Sequence, residues 1–163
     1  MSLREGLAEV GIDALFWVPD SLSAPVVRDA AEGTEIELMQ VSDEATAICL
    51  ASGFGLTGGR ALVVMENSGL RRACEVLSRL GPSHGLYCVM LLSYRGAFGD
   101  RQWWADGHHW TMRPLLEMLG IRYEVITEAD RLAPALIDAF EMFAAGQRSV
   151  AVVVHPAVFE VRK

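Results

Sequence analysis

The 163-residue sequence has one lysine, Lys163, and one asparagine, Asn67. A lysine found only at the last position excludes a P-loop, whose phosphate cradle needs a lysine directly after its glycine-rich turn. Histidine is scarce, and cysteine is limited to Cys49, Cys74 and Cys88. These side chains show no metal-ligand spacing and no CxxC, so no metal site is expected in the chain. The three thiols sit in apolar runs and are expected to be buried and free, as in a reducing cytosol. Positive charge is in deficit: the formal net charge is −7, which argues against nucleic acid as a partner. No apolar run approaches membrane-spanning length, and the stretch Met1–Gly11 lacks the apolar core of a signal peptide, so no membrane association and a cytoplasmic location are expected. What is present is 52% hydrophobic against 21% charged residues, enough for one packed domain over residues 1–163.

The pattern is one of apolar strands alternating with helices. Ser2-Leu3-Arg4-Glu5 is a capping box that opens a helix to Val10, closed by Gly11. Strands are predicted at Ala14–Val18, Glu35–Val41, Arg60–Met65, Leu86–Ser93, Arg122–Ile126 and Ser149–Val154. Helices are predicted from Asp20 to Ala31, from Val41 to Gly53, from Asn67 to Leu80, from His108 to Leu119, and to Ala145 behind a Thr127 and Asp130 cap. Apolar strands with crossover helices predict an α/β, doubly wound, mainly parallel six-stranded sheet with helices on both faces. Ligands bind such sheets outside the carboxyl ends of the strands. Those ends carry Pro19-Asp20-Ser21, Ser42-Asp43-Glu44, Glu66-Asn67-Ser68-Gly69 and Ser93-Tyr94-Arg95-Gly96, all polar.

The stretch Val41–Gly53 is the organising helix. Ser42 is the expected N-cap, with Asp43 and Glu44 in a first turn that favours anions. The residues after it are small and apolar on almost every side, which predicts a buried helix with Glu44 at its mouth. Gly53–Gly58 matches GxGxxG but follows a helix and leads into a strand, so it is no dinucleotide site. Ser68 lacks the GxSxG frame of a hydrolase nucleophile. His108 and His109 are adjacent and would point apart on a helix, which disfavours a metal pair. Trp103 and Trp104, in a polar loop, mark an interface or a lid unless one packs back on the core. Arg71, Arg72, Arg95 and Arg101 could gather into a local anion site.

Four segments together resemble the pyrimidine-binding (Pyr) domain of thiamine-diphosphate-dependent 2-oxo acid decarboxylases, in particular the sulfopyruvate and phosphonopyruvate group. They are Val18-Pro19-Asp20-Ser21-Leu22, the Glu44–Gly53 helix, Asn67-Ser68-Gly69-Leu70, and Ser93-Tyr94-Arg95-Gly96 with its following loop. The resemblance implies that Glu44 bonds the aminopyrimidine ring and promotes the proton transfer that activates thiamine diphosphate. It implies that Asn67, Ser68 and Gly69 line the cofactor, and that Asp20 and His108 or His109 handle protons over the substrate. Ser21 and Arg95 are the implied contacts to a carboxylate or sulfonate. The chain departs from the group at Arg71-Arg72 and through Trp103–His109. It has no Gly-Asp-Gly, so the diphosphate and its Mg²⁺ are expected on a separate diphosphate-binding, β-type subunit, with this chain as the α-type subunit of a homo- or hetero-oligomer acting on a small 2-oxo acid. The alternatives are a Pyr-like scaffold that has lost catalysis and a stand-alone nucleotide-binding domain.

Overall fold

The computed structural model describes residues 2–32 and 35–159. Helix α1 (Leu3–Val10) opens on the Ser2 capping box and closes on Gly11 at φ 67°. Strand β1 (Ala14–Trp17) leads through a turn to α2 (Ala24–Ala31) and to β2 (Glu37–Gln40). Then follow α3 (Glu44–Gly55), β3 (Ala61–Glu66), α4 (Gly69–His84), β4 (Val89–Ser93), α5 (Asp106–Met118), β5 (Arg122–Ile126), α6 (Ala129–Gly146), β6 (Val150–Val154) and a short α7 (Pro156–Phe159). The sheet runs β2-β1-β3-β4-β6-β5, every pair parallel.

Alternate residues of the central strands feed two cores. Phe16, Val63, Met90, Leu92 and Val153 face α3, α4 and α5 through Ile48, Leu70, Ala73, Met112 and Leu116. Leu15, Val64, Leu91 and Val152 face α1, α2 and α6 through Leu7, Val26, Leu132 and Leu136. Both faces being covered explains why β3, β4 and β6 are almost wholly apolar. From β1 the chain turns outward to β2; from β3 it turns the other way, to β4. The carboxyl ends of β1 and β3 therefore flank the switch point where such folds bind ligands.

The expected α/β fold is the fold observed, with corrections in detail. Asp43, not Ser42, caps α3: its backbone is extended and its carboxylate accepts from the Thr46 N–H at 3.1 Å and the Thr46 hydroxyl at 2.8 Å. The helix continues to Gly55, so Gly53 and Gly55 fall inside its last turns. Nor is α3 buried all round. Ala47, Ile48, Ala51 and Ser52 are buried, but Cys49 and Leu50 are exposed, because a sheet face and α4 cover only one side of a helix. The thiols divide accordingly: Cys49 is exposed, Cys74 half-buried, and Cys88 buried, with desolvation pushing it up to about 12. Helix α2 starts at Ala24, not Asp20, because the Asp20 carboxylate binds the backbone N–H groups of Leu22 and Ser23 and holds that segment as a turn. Glu128, not Thr127, is the cap residue of α6.

Gly96 begins the loop after β4 at φ 76°, a conformation that side chains disfavour. A Cβ there would sit 2.4 Å from the Ala105 carbonyl oxygen. Gly58, at φ 84°, has open space around it. Gly96→Ala is expected to destabilise the fold by more than the roughly 1–3 kcal/mol of left-handed backbone strain, and Gly58→Ala by strain alone. Urea unfolding of the two variants checks this; equal midpoints would rule out the proposed contact.

Candidate functional site

Three strand ends meet at the carboxyl edge. After β1, the Asp20 carboxylate accepts from Leu22 and Ser23 N–H, both at 3.0 Å, and from the Ser93 hydroxyl at the end of β4, at 2.5 Å. The loop of β1 is thereby tied across β3 to β4. After β3, Asn67 is fully buried. Its amide donates to the Arg95 carbonyl at 2.9 Å and accepts from the Arg95 N–H at 3.1 Å. A side-chain amide thus forms one further rung between β3 and β4 after the backbone of β3 has turned into α4.

That rung fixes Arg95. Its guanidinium donates to the Ser21 hydroxyl at 2.8 Å and lies 3.4 Å from Glu66 and 3.8 Å from Asp100. The Trp104 ring covers it, with 5.3 Å from guanidinium carbon to ring centroid. Burial pushes the Asp100 carboxyl up, but N–H bonds from Gly96 and Gln102, with Arg95 beside it, bring it below its ordinary value. Glu66 accepts from the Ser68 hydroxyl at 2.7 Å and sits 3.5 Å from His108 Nε2. On its other nitrogen, Nδ1, His108 meets Arg71 at 2.9 Å. Trp104 also leans on His108, with ring centroids 5.5 Å apart.

Glu44 stands a little apart, in the first turn of α3. Its side chain lies against Gly69: a Cβ on that residue would be 2.3 Å from Glu44 Cγ. Asp43 does the capping, so Glu44 has no part in it. Among the described residues the Glu44 carboxylate has neither a hydrogen bond nor an ion pair.

The sequence-predicted residues therefore fall into groups. Ser21 and Arg95 touch; Asp20 and Ser93 touch; Ser68 and His108 both reach Glu66; Glu44 and Gly69 are in contact. Asn67 is buried behind the edge, bonded to backbone. His108 and His109 turn apart: His109 is bonded through Nδ1 to the Tyr94 hydroxyl at 2.9 Å and stacks on its ring. The four arginines do not gather. Arg71 bonds α5, Arg72 faces Asp43 at 4.0 Å, Arg95 is held by acids, and Arg101 is exposed. The first three are each drawn to acceptors of their own. Of the two tryptophans, Trp103 is 88% exposed, while Trp104 covers Arg95 and His108 and does not reach the core. Sequence reasoning missed Glu66 and Asp100. Glu66 had a signal, a charge closing an otherwise apolar strand.

Residues 2–81 match the family described as thiamine pyrophosphate enzyme, N-terminal TPP binding domain. Over those residues the chain matches the pyrimidine-binding domain of the thiamine pyrophosphate enzymes. The chain is 26% identical over 129 residues to a phosphonopyruvate decarboxylase of Streptomyces viridochromogenes, and 25% identical over 116 residues to one of Streptomyces hygroscopicus. Those matches cover 77% and 71% of the chain but only 32% and 28% of the relatives, so the chain spans about a third of their length. Two solved structures share the fold over 98% of the chain. One is a candidate thiamin diphosphate-dependent enzyme from Mycobacterium smegmatis, at TM-score 0.76, 18% identity and 32% of that chain. The other is the 2-oxoglutarate:ferredoxin oxidoreductase of Magnetococcus marinus, at TM-score 0.72, 13% identity and 29% of that chain.

The Arg95 part of the edge hangs on Asn67. Asn67→Ala would leave the Arg95 N–H and carbonyl without their partners in a half-buried setting, at up to about 1–3 kcal/mol for each group left unpaired. Chemical denaturation should show that loss. A midpoint equal to wild type would mean the rung contributes nothing.

Proposed function

We propose that this chain is the α-type subunit of a two-subunit, thiamine-diphosphate-dependent 2-oxo acid decarboxylase of the sulfopyruvate or phosphonopyruvate kind. The observation that carries the reading is the unengaged carboxylate of Glu44, held over Gly69 at the ligand edge of the sheet. A first-turn acid that merely served the helix would be redundant beside Asp43, which already caps α3 through Thr46.

These residues suit the pyrimidine end of the cofactor. Glu44 offers an acceptor, or a shared proton, to a ring nitrogen, and Gly69 leaves the space in which its side chain lies. When bound, thiamine diphosphate supplies the carbon nucleophile and the electron sink for loss of CO₂. The chain's own groups would do the rest on their side of the site. Ser68 and Gly69 would border the pyrimidine, with Asn67 holding the wall behind them. Asp20, His108 and His109 are the candidates to hold or move a proton over the 2-oxo acid, and Ser21 and Arg95 to orient its carboxylate.

Among the described residues no three side chains of His, Cys, Asp or Glu converge as a metal cluster. The reading assigns Mg²⁺ and the diphosphate to a β-type partner bearing Gly-Asp-Gly and a downstream asparagine. It also assigns that partner a face. Leu50 on α3 and Leu56 just past its end, Trp110 and Met118 on α5, and Trp103 in the preceding loop are all exposed. They belong to the α3–α5 side of the sheet, and large apolar side chains concentrated on one side suit an interface.

Glu44→Gln keeps the size of the side chain but cannot share a proton in the same way. Decarboxylation of sulfopyruvate or phosphonopyruvate by the complex of this chain with a diphosphate-binding partner is expected to fall by roughly two orders of magnitude or more. Gly69→Ala should lower it too, by displacing Glu44 without altering it. Turnover within a few-fold of wild type in Glu44→Gln, with the complex intact by light scattering, would defeat the reading.

A further inference from the structure

His108 is enclosed by charged groups from several elements: Arg71 on α4, Glu66 at the end of β3, and Arg95 and Asp100 in the loop after β4, with the Trp104 ring alongside. An arginine guanidinium stays protonated and has no acceptor. A contact of 2.9 Å between Arg71 Nη2 and His108 Nδ1 is therefore a hydrogen bond only if Nδ1 carries a lone pair. Arg71 is itself held in place, donating to the Gly107 carbonyl at 3.0 Å and to the Thr111 hydroxyl at 3.3 Å. It cannot turn from His108 without loosening those bonds.

The geometry points to Arg71 and Glu66 as positioning residues that hold His108 as a neutral imidazole with its one proton on Nε2. The inference rests on the proposal that His108 faces the substrate, and it states the form in which His108 does so: as a hydrogen-bond donor from Nε2, not as an imidazolium. Glu66 orients that proton without capturing it. The Nε2 to Oε1 distance is 3.5 Å, and the Ser68 hydroxyl already donates to the same oxygen at 2.7 Å. A second proton on the ring would have to go to Nδ1, against a donor at 2.9 Å and beside a fixed cation.

The electrostatic balance agrees. Burial lowers His108 from its ordinary 6.5, Arg71 lowers it further, and Glu66 opposes both, with a net lowering. The sign follows from linkage: the folded chain binds this proton less readily than the unfolded chain. The contribution of neutral His108 to stability is present above 6.5 and is lost as the pH falls through the folded value. Acidification then breaks one of the ties from Arg71 to α5.

The test is nitrogen-15 NMR of the histidine side chains in the whole chain, with His108 assigned by its loss in His108→Gln. Wild type is expected to show an unprotonated Nδ1 and a protonated Nε2, with a midpoint below 6.5. Arg71→Met should mix the tautomers and raise the midpoint, and Glu66→Gln should lower it. His109, bonded to Tyr94 and not to Arg71, should not move in either. In the complex with a diphosphate-binding partner, the acid limb of the pH–rate profile should follow the His108 midpoint in the same two directions. A protonated Nδ1 in wild type would overturn the inference, as would Arg71→Met leaving tautomer and midpoint unchanged. The NMR outcome is independent of turnover, so a failure here is distinct from a failure of Glu44→Gln.

Discussion

The carboxyl edge depends on one buried amide. Strand β3 ends at Glu66, and the chain must then turn at once into α4, which would leave the backbone of Arg95 without a neighbour. Asn67 supplies that neighbour from its side chain, offering both a donor and an acceptor. Few other residue types could do this from a single position. Leucine of similar size has no polar atom, and a carboxylate cannot donate. With the Arg95 backbone fixed, its guanidinium reaches Ser21, Glu66 and Asp100, Gly96 admits the start of α5, and Trp104 settles over the cluster.

A second constraint separates two neighbouring acids. Asp43 and Glu44 are adjacent in sequence and similar in charge, yet they do different things. The Thr46 hydroxyl and N–H hold the Asp43 carboxyl below its ordinary range, so it is spent on the helix. Glu44 is thereby released from any structural duty, and the absence of a side chain at Gly69 lets it lie across the start of α4.

Much of the fold was legible because strands covered on both faces have to be apolar along their covered length, and β3, β4 and β6 are apolar up to their carboxyl ends. The polar strand ends marked the functional edge for the same reason, since they break that pattern. Where the reading failed, the deciding partner was remote or missing. Ser42 and Asp43 are both good cap residues, and only backbone geometry chooses between them. Asp20 looked like a helix opener; the hydroxyl that draws it away, Ser93, is 73 positions along the chain. Helix α3 looked buried all round because its composition suits burial, but among the described residues its outer side, with Cys49 and Leu50, is left exposed. The arginines looked like a cluster because two are adjacent and all four are rare cations in an acidic chain. The acceptors of Arg71, Arg72 and Arg95 lie on different elements and Arg101 stands exposed, which spacing alone does not reveal.

The all-parallel sheet also has a kinetic side. No parallel pair can be closed by a tight turn, so each rung waits for a crossover to form. Strand β1 pairs with β2 and β3 within the segment Ala14–Val64, whereas β4 finds β6 only when Val89 meets Val150. Loop-closure entropy favours the shorter separations first. The pairs β1-β2, β3-β4 and β5-β6, each bridging the shorter separations, are thus the natural early structures, and the β3-β4 pair already carries the Asn67 rung. The joins of β1 to β3 and of β4 to β6 span longer separations and arrive later, and with the first of them the bonds from Asp20 to Ser93 and from Arg95 to Ser21. The edge is therefore assembled in stages, and the Asp20–Ser93 bond is among the contacts that close the seam between the β1-β2 and β3-β4 pairs.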